Sequence, residues 1–317
     1  MTLHITIVGL GLTGSSIGLS LKQNKGQFQI TGHDKDSEAA KRAFKAGCVD
    51  RTEWNLLNAC DGADLVVLSI PLTGIRNTLT AIAQELKPGC VVTDTASLKV
   101  PVLNWAHQSL PVTVSFVGGH PILEKVSAES EQPTADLFAG ATWCLTPDTN
   151  APQEALQMAS DLVEVVGARP YYLDAAEHDG LVAAVEQLPL LSALALQALA
   201  GTSPSHREMI QLSGRSFESG THLLAGDAEN LSHLCIQNAA NITRWLDVLQ
   251  SELSRFREFV ANQDNESLQK AFDAALSMRG KWMDKHSEGG QTVDYSDFSM
   301  MHMLLGNTFR SRGPKGE

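Results

Sequence analysis

The chain of 317 residues is long enough for two domains with cores of their own, and 43% hydrophobic against 19% charged residues describe a soluble globular protein. A formal net charge of −12 excludes a nucleic-acid groove, which needs a concentrated basic surface. Five cysteines (48, 60, 90, 144 and 235), odd in number and without CxxC spacing, point to a reduced cytoplasmic compartment, and the scattered histidines offer no metal-ligand spacing.

Residues 3–14, LHITIVGLGLTG, run an apolar strand into Gly9, Gly11 and Gly14, and Asp34 follows at the end of a second strand. This is a dinucleotide-binding fingerprint. Gly9 permits the tight turn, Gly11 lets backbone approach a pyrophosphate, and Gly14 lets the next helix pack closely, with the anion resting on that helix's N-terminus. Asp34 suits the ribose hydroxyls and favours NAD, although His33 and Lys35 beside it leave NADP open.

Strands are expected at 3–9, 28–34, 64–70, 90–95, 113–118, 142–146 and 169–173, with amphipathic helices at 14–24, 37–46, 74–85, 99–108 and 152–166. The alternation predicts an α/β fold, a Rossmann-type doubly wound, mostly parallel sheet over residues 1–173. From residue 174 to about 285 strand patterns give way to long helical periods, an all-helical domain for substrate binding and dimerisation, with residues 286–317 as a C-terminal extension. In it, Leu181, Val182, Val185 and Leu188 predict a core-facing helix face, and a long apolar stripe over 231–253 predicts core or a subunit interface. The run LPLLSALALQALA is shorter than the ~20 residues that span a bilayer, and no export signal opens the chain, so no membrane partner is expected.

In open α/β sheets ligands lie beyond the carboxyl ends of the strands. The cofactor-binding candidates are therefore Gly9, Gly11, Leu12, Thr13, Gly14 and Asp34, with Ser69 and Pro71 after the third predicted strand. After the fifth comes Gly118-Gly119-His120-Pro121. An imidazole there can take a hydroxyl proton as hydride leaves for a nicotinamide, which makes His120 the candidate base. Ser97 either orients that imidazole or caps the helix starting near Lys99, and Asp94 is structural or lines the site. His178 and Asp179, beside Glu177, either cap the first helix of the second domain or join the site.

These segments resemble the prephenate/arogenate dehydrogenase family of tyrosine biosynthesis, from Ile5 to about Trp282. VGLGLTGSSIGLSL, HDKD, LSIPL, TDTASLK, VGGHP, ADLFAGATWCLTP and EHDGLVAAVEQLP carry the likeness. The resemblance implies NAD(P)-linked oxidative decarboxylation of a cyclohexadienyl substrate and a homodimer formed by the helical domain. It implies that His120 is the base and Ser97 its orienter. The substrate half departs from the family. Ile122-Leu123-Glu124 replaces Met-Ala-Gly, Glu186-Gln187-Leu188-Pro189-Leu190 replaces Ser-His-Leu-Pro-His, and His222 stands where an arginine grips the substrate carboxylate, with Arg215 and Arg207 nearby. The substrate-binding candidates are thus His178, Gln187, Arg215 and His222. Two other readings stay open: a related dehydrogenase acting on a different small carboxylate, and a catalytically silent NAD-binding regulator.

Overall fold

A computed structural model describes residues 2–24, 26–123 and 132–287. Glu124 and nearly all of the C-terminal extension lie outside them.

Eight strands form one sheet: β1 (Leu3–Val8), β2 (Phe28–His33), β3 (Arg51–Thr52), β4 (Leu65–Leu68), β5 (Val91–Asp94), β6 (Ser115–Ile122), β7 (Thr142–Pro147) and β8 (Arg169–Tyr172). Their order is β3-β2-β1-β4-β5-β6-β7-β8. Neighbours run parallel except β6 and β7, which pair antiparallel. Helices α1 (Leu12–Lys22), α2 (Ser37–Lys45), α3 (Leu56–Cys60), α4 (Leu72–Ile82), α5 (Val100–Ser109) and α6 (Gln153–Val165) connect the strands.

β4 (LVVL) is apolar at every position, and β1 (LHITIV) is largely so, because both faces of the sheet are covered. Ile5, Ile7, Leu65, Val67 and Val91 pack with Ile17 and Leu21 of α1 and Leu162 and Val163 of α6. The alternate residues Val8, Val66, Leu68 and Val92 meet Leu72, Ile75 and Leu79 of α4 and Val102 of α5. Each such side chain contributes about 1.5–3 kcal/mol on full burial, so the central strands anchor the loops that emerge from their ends.

After β8 the chain is helical: α7 (Ala175–Val182), a π-helical turn (Ala183–Gln187), α8 (Leu188–Thr202), α9 (His206–Leu212), α10 (Arg215–Thr221), α11 (Ala228–Gln237) and α12 (Ala239–Ala261). Residues up to Ser254 form one compact unit with the sheet, and a second unit begins at Arg255 and includes α13 (Asn265–Ser287).

The structure departs from expectation in several places. β3 and α3 are too short to leave a periodic pattern. The predicted strand 113–118 extends to Ile122, because pairing with β7 carries the ladder past the glycines: Gly119 faces Leu145 and His120 faces Cys144. His120 therefore sits within a strand rather than after one. The apolar run after Pro189 is part of one 28-residue helix, Ala175–Thr202, long and apolar enough by length and composition to cross a membrane. Its inner face nonetheless mixes polar with apolar residues. His178, Asp179 and Gln187 are buried with Val182 and Ala183, whereas Leu181 and Val185, expected inside, are 49% and 69% exposed. The apolar stripe breaks at Asn238, where α11 ends, and of its residues Ile242 is buried while Leu246 and Leu253 are exposed.

Gly119 shows how tightly β6 is seated. A Cβ there would lie 2.6 Å from the Asp94 carbonyl oxygen and 2.8 Å from Trp143 Nε1. Gly119→Ala is expected to destabilise the protein by about 1–3 kcal/mol through overpacking, read as a lowered midpoint in urea denaturation.

Candidate active site

The glycine turn provides a cradle for a dinucleotide. Gly9 has φ +95°, a left-handed conformation, and a Cβ there would strike the Ser69 carbonyl oxygen at 2.2 Å. A Cβ on Gly14 would come within 2.0 Å of the Gly9 carbonyl oxygen, whereas above Gly11 the space is open. Helix α1 starts at Leu12 with no side-chain cap, which leaves the first-turn amides of Leu12, Thr13 and Gly14 to an anion. Asp34 stands at the end of β2. Its Oδ2 accepts the Leu10 amide at 2.7 Å and its Oδ1 the Asp36 amide at 2.8 Å. This fixes the carboxylate while lone pairs remain for ribose hydroxyls. Ser69 follows β4, and Pro71 occupies the N-cap position of α4. These residues fit an NAD-type dinucleotide, placed at the point where the strand order reverses between β1 and β4.

Farther along the same edge, β5, β6, α5 and α7 converge on a buried polar cluster. Lys99 and Asp94 are fully buried and pair at 2.6 Å. Asp94 also accepts the Ala96 and Gly119 amides, each at 3.0 Å, and the Lys99 ammonium donates to the Gly119 carbonyl. Burial pushes the Asp94 carboxyl up and the Lys99 ammonium down, and their mutual attraction opposes both shifts. The two charges thus grip the peptide that precedes His120 from both sides.

The expected cap of α5 is replaced by another residue. Asp179, projecting from α7, accepts the Lys99 amide at 2.8 Å and the Val100 amide at 2.9 Å. A carboxylate at a helix N-terminus can satisfy two amides at once and gains from the dipole, which a serine hydroxyl cannot match. Ser97, half-buried in the β5–α5 loop, makes no hydrogen bond through its hydroxyl among the described residues, to His120 or otherwise. Nor do His178 and Asp179 cap their own helix. Asp174 does so, accepting the Ala176 and Glu177 amides.

Asp179 also sets the protonation pattern of two histidines. Its Oδ1 lies 2.9 Å from His178 Nδ1, and His178 Nε2 lies 3.1 Å from His120 Nδ1. The carboxylate can only accept, so His178 carries its hydrogen on Nδ1 and presents a lone pair at Nε2. His120 Nδ1–H then donates to that lone pair, and His120 Nε2 is left as the basic nitrogen. Burial, the Lys99 charge and His178 together hold the His120 pKa well below 6.5. The imidazole is therefore neutral near pH 7. Folding lowers its pKa, so the stability it contributes is fully present above pH 6.5 and is lost as pH falls through the folded value.

Glu186, in the π turn, places Oε1 3.7 Å from His120 Nε2, and burial pushes its carboxyl up to about 7. Gln187 is fully buried. Its Oε1 accepts from Asn238 Nδ2 at 2.7 Å while its Nε2 has no partner. Asn238 also donates to the Asp179 carbonyl at 2.9 Å, tying the α11–α12 break to α7. The other two substrate candidates, Arg215 and His222, sit on exposed α10, and His222 Nδ1 lies 2.7 Å from the Ser219 carbonyl oxygen. Neither touches the His120 cluster among the described residues. Of the groups that do, Asn238 had no motif to announce it, and Lys99 and Glu186 were visible only as a helix boundary and as a departure from the family pattern.

A glycine cradle at a strand-order switch and a neutral-held histidine on the same sheet edge define a Rossmann-type dehydrogenase. The family models agree. "Prephenate dehydrogenase, nucleotide-binding domain" matches residues 17–172 and "Prephenate dehydrogenase, dimerization domain" matches residues 174–274. The chain belongs to the prephenate dehydrogenase family. Among its relatives, cyclohexadienyl dehydrogenase of Zymomonas mobilis is 28% identical over 87% of this chain and 94% of its own length. Prephenate dehydrogenase of Bacillus subtilis is 26% identical over 87% and 75%. The fold is that of prephenate dehydrogenase from A. aeolicus, solved in complex with hydroxyphenyl propionate and NAD+, with a TM-score of 0.82 and 24% identity over 89% of this chain and 98% of that one.

Removing the cation under β6 tests the cluster. Lys99→Met should cost about 3–5 kcal/mol, because Asp94 is left buried and unpaired, and should let the His120 pKa rise towards 6.5. Urea denaturation reads the first effect and imidazole NMR titration the second.

Proposed function

We propose that this chain carries out NAD-dependent oxidative decarboxylation of prephenate or arogenate, with His120 as the base. The observation that carries this reading is the tautomer sequence Asp179–His178–His120, which leaves a lone pair on His120 Nε2 at the cofactor edge of the sheet. When bound, NAD accepts a hydride from the ring carbon that bears the hydroxyl. His120 Nε2 takes the hydroxyl proton, and the electrons released by loss of the ring carboxylate as CO₂ complete the aromatic ring.

Gln187 offers its unpartnered Nε2–H₂ to an acceptor on the substrate, at the place where the family resemblance implies a histidine. Its Oε1 is held by Asn238, so the amide cannot flip without losing that bond. Ser97, with its hydroxyl uncommitted, lies in the loop whose ends Asp94 and Lys99 both bind Gly119 beside His120, and it is assigned to the bound substrate or to His120 in the complex. Dimerisation through the helical part is supported by exposed apolar residues such as Leu194, Leu199, Ile210, Leu212 and Ile236, which would otherwise face water. The five thiols are free, consistent with a reducing compartment.

The test is NADH formation from NAD with each substrate in turn. His120→Asn should lower kcat by about 10²–10⁴-fold, the range for loss of a positioned proton acceptor, while NAD affinity measured by calorimetry stays within about twofold. Equal turnover in variant and wild type would remove His120 from the reaction. With active enzyme, kcat/KM should fall only on the acid side of pH 6.5, as His120 Nε2 becomes protonated.

A further inference from the structure

A proton taken up by His120 Nε2 needs a way out to solvent. His120 Nδ1 is committed to His178, and its imidazole is 8% exposed, so a proton on Nε2 has little direct access to water. On the Nε2 side stands Glu186, whose side chain is 36% exposed. It reaches from solvent to the base because of the helix it sits on. Pro189 cannot donate an amide and crowds the preceding turn, and the helix accommodates it with a π turn in which the Leu188 amide bonds the Ala183 carbonyl. Within that turn Glu186 is half-buried and Gln187 fully buried, so both neighbours address the interior.

We infer that Glu186 is the proton outlet of this site, accepting from His120 Nε2 the proton taken from substrate and releasing it to solvent. The inference rests on the assignment of His120 as the base. In the step, the substrate O–H bond breaks and an N–H bond forms on Nε2 as hydride leaves the ring carbon. The N–H bond then breaks as an O–H bond forms on the Glu186 carboxylate, and that proton passes to water. No electrons move in the last two transfers.

Three observations support the direction of flow. With His120 neutral and Glu186 ionised, two acceptors face one another, in keeping with a separation of 3.7 Å rather than hydrogen-bond contact. Once His120 is protonated the pair attracts, and rotation of a partly exposed side chain closes the gap. Glu186 holds a proton up to about pH 7, whereas His120 holds one only well below 6.5, so transfer to Glu186 is downhill. The other titratable groups facing this pair among the described residues are His178 on α7, Lys99 at the start of α5 and Cys144 on β7. The Cys144 thiol is pushed up to about 11 by burial and stays protonated. None of the three offers a route to water as exposed as that of Glu186.

The experiment compares wild type and Glu186→Gln, with NAD and whichever of prephenate or arogenate the wild type turns over. In dilute buffer at pH 7 the variant should form NADH in a single turnover at a rate within about twofold of wild type. Its steady-state kcat should fall at least about tenfold, below the full effect of losing the base itself. Concentrated imidazole buffer should restore that kcat, which a packing defect would not allow. In the cofactor-free protein, an infrared carboxyl band should titrate near pH 7 and vanish in Glu186→Gln. Unchanged kcat in dilute buffer, a loss that buffer does not rescue, or absence of that band overturns the outlet. Failure of wild type to form NADH with either substrate, with the band present, overturns the substrate assignment and leaves the His120–Glu186 proton coupling standing.

Discussion

One carboxylate fastens three parts of this protein together. Asp179, buried on α7, fills the N-terminus of α5 with two amide bonds and orients His178 with a third contact. Because both oxygens are held, the group cannot rotate to accept differently, and the histidine tautomers downstream inherit that fixity. The helical segment that follows the sheet is thus docked through the same atoms that orient His178 against His120. Helix docking and the orientation of two histidines share a single polar contact, and the apolar cores on the two faces of the sheet supply the rigidity that keeps it in register.

Much of the nucleotide-binding half was legible in the sequence because its signals are local. A continuous apolar run such as Leu65–Leu68 reads as a strand covered on both sides, and Gly9, Gly11 and Gly14 mark a turn that admits no Cβ at two of the three places. His120 was also legible as a candidate base, although its position inside β6 was not. The antiparallel pairing with β7 that extends β6 depends on residues twenty or more positions away.

The helical half was harder to read for a physical reason. Hydrophobic periodicity assumes that apolar side chains face the core, and over α7 and the π turn the assumption holds for Val182 but fails elsewhere: His178, Asp179 and Gln187 are inside while Leu181 and Val185 face out. Buried polar groups are tolerated there because each finds partners on other elements, in α5, β6 and at Asn238, and such partnerships leave no pattern within a single segment. The same remoteness explains why Ser97 looked like a helix cap when the cap comes from eighty residues downstream.

The charges buried beneath His120 carry a consequence for the imidazole itself. Asp94 and Lys99 are fully buried and hold each other at 2.6 Å beneath the strand that carries His120. Burial works against both charges, so each is kept by the other, and the cost of desolvating them falls on the folded protein. The same ammonium lowers the pKa of His120. The ion pair that secures β6 thereby makes the imidazole above it a weak holder of protons, and a change at either charge alters both the seating of the strand and the titration of the ring.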